Sequence, residues 1–432
     1  NLRPRGFERA RPHSNEAMMR TAVFAVARNE ADILPVFLRH ILALFDYAIL
    51  VDHRSIDGSG EMLRAACAGR PGWRCWRAAY EGHHQHQAAA IGLDRLFQDT
   101  DADIVCFLDA DEFIDVADRT ELERLLGTLG DPTQVGQLFW RNCVRANMRQ
   151  DRLAIGDLIL VCPERSMYPK IVVSRAFWHA RNGAVRPTAG YHSIEWQQDA
   201  SVTYQPLGDL LHVPFRSRRQ MERKLVLGRL ADLARANRAE NENVHWRDML
   251  ARVAAGAIDE QDLVGWVTGY GEPGFAGRRV DSAGLTALGF SLRPLDVAAV
   301  AALHLPPGRE LDPLRAMAAV LCEWRLEDGG AGLCLDGDIL HLPPPDPPPF
   351  DRPAPASTTG EAARHATANE PDADNAPLRH AVAPSEQEAA LSTPQKMPAS
   401  TSFRATTPMR LAAASMRRIR RMLPRRNQGG AR

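Results

Sequence analysis

The chain has 432 residues, of which 45% are hydrophobic and 25% are charged, a balance typical of globular proteins with room for two or three domains. Its 53 basic and 53 acidic residues cancel to a formal net charge of zero, so no global field favours nucleic acid as a partner. No apolar stretch approaches the roughly 20 residues that span a bilayer. The seven cysteines are scattered, which indicates reduced thiols in a cytoplasmic protein.

Strands and helices alternate along the first quarter of the chain, after a polar, Arg-rich arm at residues 1–19 that has no apolar signal core. Short apolar runs predict the strands, and apolar residues at helical spacing predict the helices. The predicted elements are strand 21–27, helix 31–44, strand 47–51, helix 60–68, strand 73–77, helix 85–98 and strand 104–108. This order predicts an α/β fold with a doubly wound, mostly parallel sheet.

Acidic residues directly follow two of these strands. Asp52 comes after the second strand, and Asp109 and Asp111 come after the apolar run 104–108. In open α/β sheets, ligands bind beyond the carboxyl ends of the strands. Carboxylates there supply hard oxygen ligands, which suit Mg²⁺ or Mn²⁺ better than zinc. The sequence therefore predicts a divalent-metal site at this edge of the sheet.

The same acids also have structural interpretations. Asp109 and Asp111 would then form a solvated strand end or a helix N-cap. Asp52 and Asp57 would be turn formers, since aspartate favours turns. We favour that interpretation for Asp57, which precedes a glycine, and a functional role for Asp52, which follows a strand directly.

Three motifs, taken in order, resemble those of family 2-type glycosyltransferases: Ala27-Arg-Asn-Glu30, Leu50-Val-Asp-His-Arg-Ser-Ile-Asp-Gly58 and Phe107-Leu-Asp-Ala-Asp-Glu-Phe113. The third is similar to the motif of a bacterial branch in which Asp-x-Asp is followed by Glu-Phe. The resemblance is strong over residues 20–115 and continues more weakly to about residue 230. It implies a GT-A fold, a nucleotide-sugar donor that we expect to be UDP-linked, and Mn²⁺ or Mg²⁺ on the donor diphosphate.

The resemblance also implies which residues bind the donor: Ala27, Arg28, Glu30, Asp52 and Asp109. Asp52 matches the acid that recognises the donor base in such enzymes. Arg28 stands where relatives often have an aromatic residue that stacks on the base. A guanidinium also stacks on a π-face, so this departure weakens the contact without removing it.

The implied metal ligands are Asp109, Asp111 and His212, with His192 as the rival of His212. His212 fits a buried, hydrogen-bonded histidine equally well. The histidine-rich run at residues 82–87 lacks zinc-finger spacing. We interpret it as a helix start facing the donor phosphates, or as a solvated loop.

An inverting transfer needs a carboxylate that takes the proton of the acceptor hydroxyl. Glu195 is the first candidate because it lies beside aromatic residues of a type that often holds sugar rings. Glu164 is the second candidate. The expected acceptor is a cell-envelope glycan or a lipid-linked glycan.

The composition of the rest of the chain predicts its organisation. The predicted segments are a GT-A domain at 20–240 (a nucleotide-sugar half at 20–115 and an acceptor half at 116–240), a helical extension at 241–342, a linker at 343–407 and a tail at 408–432. The linker is rich in Pro and Ala and has few large apolar residues, so we expect it to be disordered. The tail alternates arginine with apolar residues, which predicts a basic amphipathic helix. Its residues 409–426 would contact an anionic membrane from the cytoplasmic side, or form a solvated basic tail.

These features lead to the hypothesis of a cytoplasmic, metal-dependent hexosyltransferase that inverts the transferred sugar. A first alternative is a degenerate GT-A domain that binds a nucleotide or glycan without turnover. A second is a scaffold protein that acts through its proline-rich linker and basic tail. Nucleic acid is not an expected partner.

Overall fold

The computed structural model of the protein describes residues 19–78, 85–195, 202–233, 244–256, 259–270, 281–317, 332–335 and 338–341. All of them belong to one compact unit, Asn1–Pro353. The predicted linker and tail, and all but one residue of the predicted arm, lie outside the described residues. No helix in the described part of the chain has both the length and the apolar character that a membrane span requires.

The first half of the domain is a parallel sheet with helices on both faces. Its strands are β1 (Thr21–Ala27), β2 (Tyr47–Asp52), β3 (Trp73–Ala78) and β4 (Ile104–Asp109), and its helices are α1 (Leu34–Leu44), α2 (Ser59–Cys67) and α3 (Gln85–Asp99). The strands lie in the order β4-β1-β2-β3, and all three pairings are parallel. Every residue of β1 is buried, as expected for a central strand covered on both faces. The predicted doubly wound α/β arrangement is confirmed.

Antiparallel pairings dominate the second half of the sheet. Its strands are β5 (Glu112–Ile114), β6 (Gln134–Arg145), β7 (Leu158–Val161), β8 (Pro169–Ser174) and β11 (Thr203–His212), and its helices are α4 (Arg119–Leu126) and α5 (Arg175–His179). A separate hairpin joins β9 (Arg186–Pro187) to β10 (Ile194–Glu195). Strand β8 lies antiparallel between β4 and β6, whereas β6 and β11 are parallel. The complete sheet is the mixed α/β sheet of the GT-A fold.

Helices and three further strands follow β11. They are α6 (Arg218–Leu233), α7 (Val244–Ala254), α8 (Glu260–Thr268), α9 (Ser282–Ala287), β12 (Ser291–Pro294), β13 (Gly332–Leu335) and β14 (Asp338–His341). Ser217 accepts a hydrogen bond from the Gln220 amide (3.0 Å), so it caps the start of α6. Strands β13 and β14 form a hairpin, and β13 pairs with β3. Strand β12 pairs with β7. It was not predicted, because the sequence predicts a helical extension at residues 241–342.

An extended segment after β12, residues 295–311, crosses the domain and is called the strap here. The Leu295 amide donates to the Asp157 carbonyl (2.7 Å), and the Arg309 amide donates to the Asp57 carbonyl (2.5 Å). Between these ends, Arg39 on α1 donates to the carbonyls of residues 300 and 301. Leu295 also belongs to the same buried apolar cluster as α1 and β1. The first part of the strap, with Leu295, Val297 and Ala298, is therefore part of the domain core, although it lies far beyond residue 230 in the chain.

His40 joins α1 to both the strap and β5. Its Nδ1 lies 2.7 Å from the Ala298 carbonyl, and its Nε2 accepts a hydrogen bond from the Ile114 amide at 3.0 Å. Because Nε2 accepts, Nδ1 carries the proton and the ring is neutral. Burial lowers the pKa of His40 to about 4, since the charged ring would be desolvated.

We expect the free energy of unfolding to fall as the pH drops from 6.5 to 4. Over that range the unfolded chain protonates His40 while the folded chain does not, so acid favours unfolding. The lowered pKa corresponds to a loss of up to about 3 kcal/mol. Urea unfolding of the wild type and of His40→Gln across this pH range would measure it. The variant should be less stable at pH 7 but should lose less stability on acidification.

The control for this measurement is His304→Gln, because His304 is exposed. Its pH profile should match that of the wild type. Identical slopes for the wild type and His40→Gln would contradict the role given to His40. His192 and His212, whose pKa values burial lowers to about 4 and about 3, contribute in the same direction and remain in both variants.

Candidate active site

The ends of three parallel strands lie side by side. In the register of the sheet, Ala27 at the end of β1 is level with Asp52 at the end of β2. On the other side of β1, Val26 is level with Asp109 at the end of β4. The structure therefore brings the predicted base-binding acid and the predicted acidic motif to one edge of the sheet.

Asp52 is buried at this edge and is closely packed. Its Oδ1 accepts a hydrogen bond from the Ser55 amide at 2.9 Å. Burial raises the pKa of Asp52, and the hydrogen bonds from Ser55 act in the opposite direction. A Cβ at Gly60 would lie 2.5 Å from Oδ2, so only glycine lets the start of α2 approach the carboxylate this closely.

Hydrogen bonds connect the two loops that carry the first two motifs. Asn29 has a left-handed backbone (φ 56°), and its Oδ1 accepts from the Ile56 amide at 2.9 Å. Asp57 accepts from the Ala31 amide at 3.0 Å and from the Ser59 amide at 3.0 Å. These bonds fit the turn-forming interpretation favoured for Asp57.

Glu30, predicted to bind the donor, contacts Arg216 through its carboxylate. Arg216 is fully buried and also pairs with Asp32 at 2.7 Å. Burial raises the pKa of Glu30, although the Arg216 charge opposes that change. In this structure Glu30 therefore links the first motif to the segment after β11. Sequence reasoning gave Arg216 no role.

The acidic motif meets His212 across the sheet. Strand β11 pairs with β5 on one side and β6 on the other, and this register sets His212 level with both Glu112 and Asn142. Ligand atoms of Asp111, Glu112 and His212 all lie within 4.8 Å of one another, and all three residues are buried. The distance between His212 Nε2 and Asp111 Oδ2 is 4.0 Å.

Hydrogen bonds fix the tautomer of His212. Its Nδ1 lies 2.9 Å from Asn142 Oδ1, and Asn142 donates through Nδ2 to the Tyr270 carbonyl at 2.9 Å. Asn142 Oδ1 therefore accepts, so Nδ1 carries the proton and the lone pair lies on Nε2, on the side of Asp111. Burial lowers the pKa of His212 to about 3, which keeps the ring neutral. A neutral imidazole with a free lone pair is the form that binds metals.

Asp109 is held by a lysine, and Glu112 by several partners. Asp109 Oδ2 accepts from Lys170 Nζ at 2.6 Å, whereas Asp109 Oδ1 is buried without a hydrogen-bond partner. Glu112 accepts from the Asp109 amide at 2.9 Å and from Trp140 Nε1 at 2.7 Å, and it lies 3.2 Å from Lys170 Nζ. Burial raises the pKa of Glu112 to about 8 despite the nearby ammonium. Glu112 could have been recognised as part of the site from the sequence, because it directly follows Asp111.

A second lysine contacts Asp111. Lys224 on α6 places Nζ 2.5 Å from Asp111 Oδ2. Burial is the largest single influence and would raise the pKa of Asp111, but Lys224, His212 and Arg216 together outweigh it and hold the pKa well below its usual value. Sequence reasoning gave neither lysine a role. A signal was available, because the chain has only three lysines among its 53 basic residues.

The remaining candidates lie apart from this cluster. His192 places Nδ1 2.9 Å from the Pro169 carbonyl and packs against Trp140. It does not belong to the group of acids and histidine found within the described residues. Glu195 is exposed on β10, and Glu164 is exposed in the loop between β7 and β8. Neither glutamate belongs to that group either, so their roles stay predictions.

Comparisons with known proteins agree with the architecture. Residues 22–189 match the family model for glycosyl transferase family 2. Over this segment, which is less than half of the chain, the protein is similar to family 2 glycosyltransferases. The match ends before β11 and α6, so His212, Arg216 and Lys224 reach the site from outside it.

No curated protein matches the chain. Among solved structures, residues 1–349 of S. aureus TarS in complex with UDP-GlcNAc share 10% identity, over 55% of this chain and 72% of that chain, with a TM-score of 0.30. S. aureus TarS itself shares 12% identity, over 57% and 45% of the two chains, with a TM-score of 0.30. A mycobacterial protein shares 17% identity, over 54% and 82%, with a TM-score of 0.28.

The clustered side chains suit a divalent ion. Two carboxylates and the Nε2 lone pair of a neutral histidine form a donor set that Mn²⁺ or Mg²⁺ accepts. The partnerless, buried Asp109 Oδ1 is a further unsatisfied acceptor in the same motif. The observed cluster contains the predicted ligands Asp111 and His212, with Glu112 in addition. Asp109, the third predicted ligand, is paired with Lys170 instead.

Proposed function

We propose that the protein transfers a sugar from a nucleotide sugar, UDP-linked in the first instance, to a hydroxyl of a glycan. The transfer would need a bound divalent ion, Mn²⁺ or Mg²⁺. The observation that carries the proposal is the buried cluster of Asp111, Glu112 and His212 at the sheet edge that also carries Asp52. The two acids of the cluster lie inside the segment that matches glycosyl transferase family 2.

Asp111, Glu112 and His212 would hold the ion, with Asp109 next to them. When bound, the metal neutralises the charge that grows on the leaving diphosphate. The protein keeps His212 neutral through Asn142 and keeps water away from the cluster by burial. Asp52 would hold the donor base.

Aromatic side chains lie beside Glu112, and we propose that the acceptor binds there. Trp140 stacks on His212 with 4.4 Å between ring centroids, and Tyr168 packs against His192 at 5.1 Å. Tyr168 is 38% exposed, which leaves part of its ring available to a sugar. Aromatic faces suit the apolar faces of sugar rings, so we place the acceptor glycan against Tyr168.

The proposal also covers the catalytic base, the acceptor and the membrane contact. Glu195 is the first candidate for the base of an inverting transfer, and Glu164 is the second. The acceptor would be a cell-envelope or lipid-linked glycan. Residues 409–426 would then bring a cytoplasmic enzyme to the inner face of the membrane.

The test is the thermal stabilisation of the full chain by UDP, GDP, CDP and dTDP, each measured with and without Mn²⁺. We expect one diphosphate to raise the melting temperature, and only when Mn²⁺ is present. Asp52→Asn should lose the diphosphate effect but keep the stabilisation by Mn²⁺ alone. Asp296→Asn, which changes an exposed carboxylate, should keep both effects.

Absence of stabilisation by every diphosphate would contradict the proposed donor site. If a glycan alone stabilised the protein, the degenerate GT-A alternative would replace the proposal. The nucleotide that does stabilise the chain would identify the donor base.

A further inference from the structure

Both lysines in the described part of the chain lie at the acidic motif. The whole sequence has three lysines, at positions 170, 224 and 396, among 53 basic residues. Arginine fills nearly every other cationic position. Lysine differs from arginine because it offers a compact point charge on a flexible stem instead of a wide, planar fork. The two ammonium groups are held differently at the site.

Lys170 is fixed in place. Its side chain is fully buried, and Nζ contacts Asp109 Oδ2 at 2.6 Å, the Gly190 carbonyl at 2.9 Å and Glu112 at 3.2 Å. The rings of Trp140 and Tyr191 lie 5.5 and 4.9 Å from the ammonium. All three N–H donors are used, so Lys170 is a permanent counter-charge beneath the motif.

Lys224 is held much less firmly. Its side chain is 24% exposed, and Nζ contacts Asp111 Oδ2 at 2.5 Å and the Pro214 carbonyl at 3.3 Å. The oxygen that it contacts is the same Oδ2 that lies 4.0 Å from His212 Nε2. The ammonium therefore pairs with one of the atoms that would bind the metal.

We propose that Lys224 is an exchangeable cation, which pairs with Asp111 in the free protein and moves to the donor diphosphate when the metal binds Asp111. The inference rests on the proposed function, because it requires a metal at Asp111. A metal and an ammonium compete for the same carboxylate oxygen. Once displaced, the ammonium stays tethered to α6 beside the site, where the diphosphate supplies a new negative partner.

The exchange makes two predictions of opposite sign. Removing the ammonium should strengthen metal binding, because the metal no longer has to displace a competitor. The same change should weaken diphosphate binding to the metal-loaded protein, because one positive partner is lost. A residue that only supported the fold would change both affinities in the same direction.

The first measurement is a titration of the full chain with Mn²⁺ alone, followed by the paramagnetic resonance of free Mn²⁺. Lys224→Met and Lys224→Gln should bind Mn²⁺ about tenfold more tightly than the wild type, the factor that one charged hydrogen bond is worth. Lys224→Arg keeps a cation and should bind no more tightly than the wild type. Arg218→Met removes an exposed charge from the same helix and should bind Mn²⁺ as the wild type does.

The second measurement is a titration of the Mn²⁺-saturated proteins with inorganic pyrophosphate, which does not depend on the identity of the base. Lys224→Met and Lys224→Gln should bind it about tenfold more weakly, and Arg218→Met should bind it unchanged. Two neutral variants are used so that one of them can report if the other fails to fold.

Unchanged or weaker Mn²⁺ binding in the neutral variants would overturn the exchange but leave the proposed function standing. Unchanged pyrophosphate binding would also overturn it. If neither the wild type nor any variant bound Mn²⁺, the metal assignment in the proposed function would fail together with the exchange.

Discussion

Asp111→Asn is expected to reduce sugar transfer at least about a thousandfold while the domain stays folded. Asp111 is the acid of the cluster that faces both His212 Nε2 and Lys224 Nζ. An amide of the same shape loses the negative charge that a metal needs. Metal stabilisation of a leaving group is worth several kcal/mol, and each 1.36 kcal/mol changes a rate about tenfold.

The fold should survive this change because a neutral amide is easier to bury than a carboxylate, and Lys224 can extend towards solvent. We expect a change of about 1 kcal/mol or less in the free energy of unfolding. Release of nucleoside diphosphate from the donor, measured in a single turnover, would report the rate. Asp296→Asn is the control, and full activity in Asp111→Asn would refute the metal site.

Lys170→Met is expected to destabilise the domain by about 3–5 kcal/mol, the usual cost of breaking a buried ion pair. The ammonium is the cation closest to Asp109 and Glu112, and Glu112 is completely buried. Without it, two carboxylates share an apolar environment that includes the ring of Trp140. Urea unfolding of the full chain would measure the loss.

A second substitution tests the cause of this loss. Glu112→Gln in the Lys170→Met background replaces the completely buried carboxyl, whose pKa burial already raises to about 8, with a neutral amide, so the double variant should be more stable than Lys170→Met alone. Arg218→Met breaks an exposed pair on α6 and should cost at most about 1 kcal/mol. If Lys170→Met cost no more than Arg218→Met, Lys170 would not be the counter-charge of the motif.

The parallel half of the fold could be predicted because it follows from local patterns. Continuous apolar runs mark buried parallel strands, and each parallel connection requires a crossover, here a helix. The position of Asp52 and Asp109 at one edge then follows from topology, since parallel strands all end on the same side. The structure agrees, with Ala27 level with Asp52 in the sheet register.

The second half of the site depends on pairings that no local pattern specifies. His212 meets Glu112 only because β11 pairs with β5 in one register, and a shift of one residue would turn its side chain to the other face. Lys170 reaches Asp109 only because β8 lies antiparallel beside β4. The resemblance nominated His212 as a ligand, but the sequence reasoning gave no role to Lys170, Lys224 or Arg216, whose partners are set by these pairings and by the segment after β11.

The strap has a consequence for how the protein is made. Helix α1 forms early in translation, but Arg39 and His40 find their partners only at residues 298–301. Ribosomes add about 5–20 residues per second, so the ends of this core are synthesised many seconds apart. Until then the nascent chain exposes the apolar surface that Leu295 later covers. The protein is therefore expected to complete its fold only after the strap has left the ribosome.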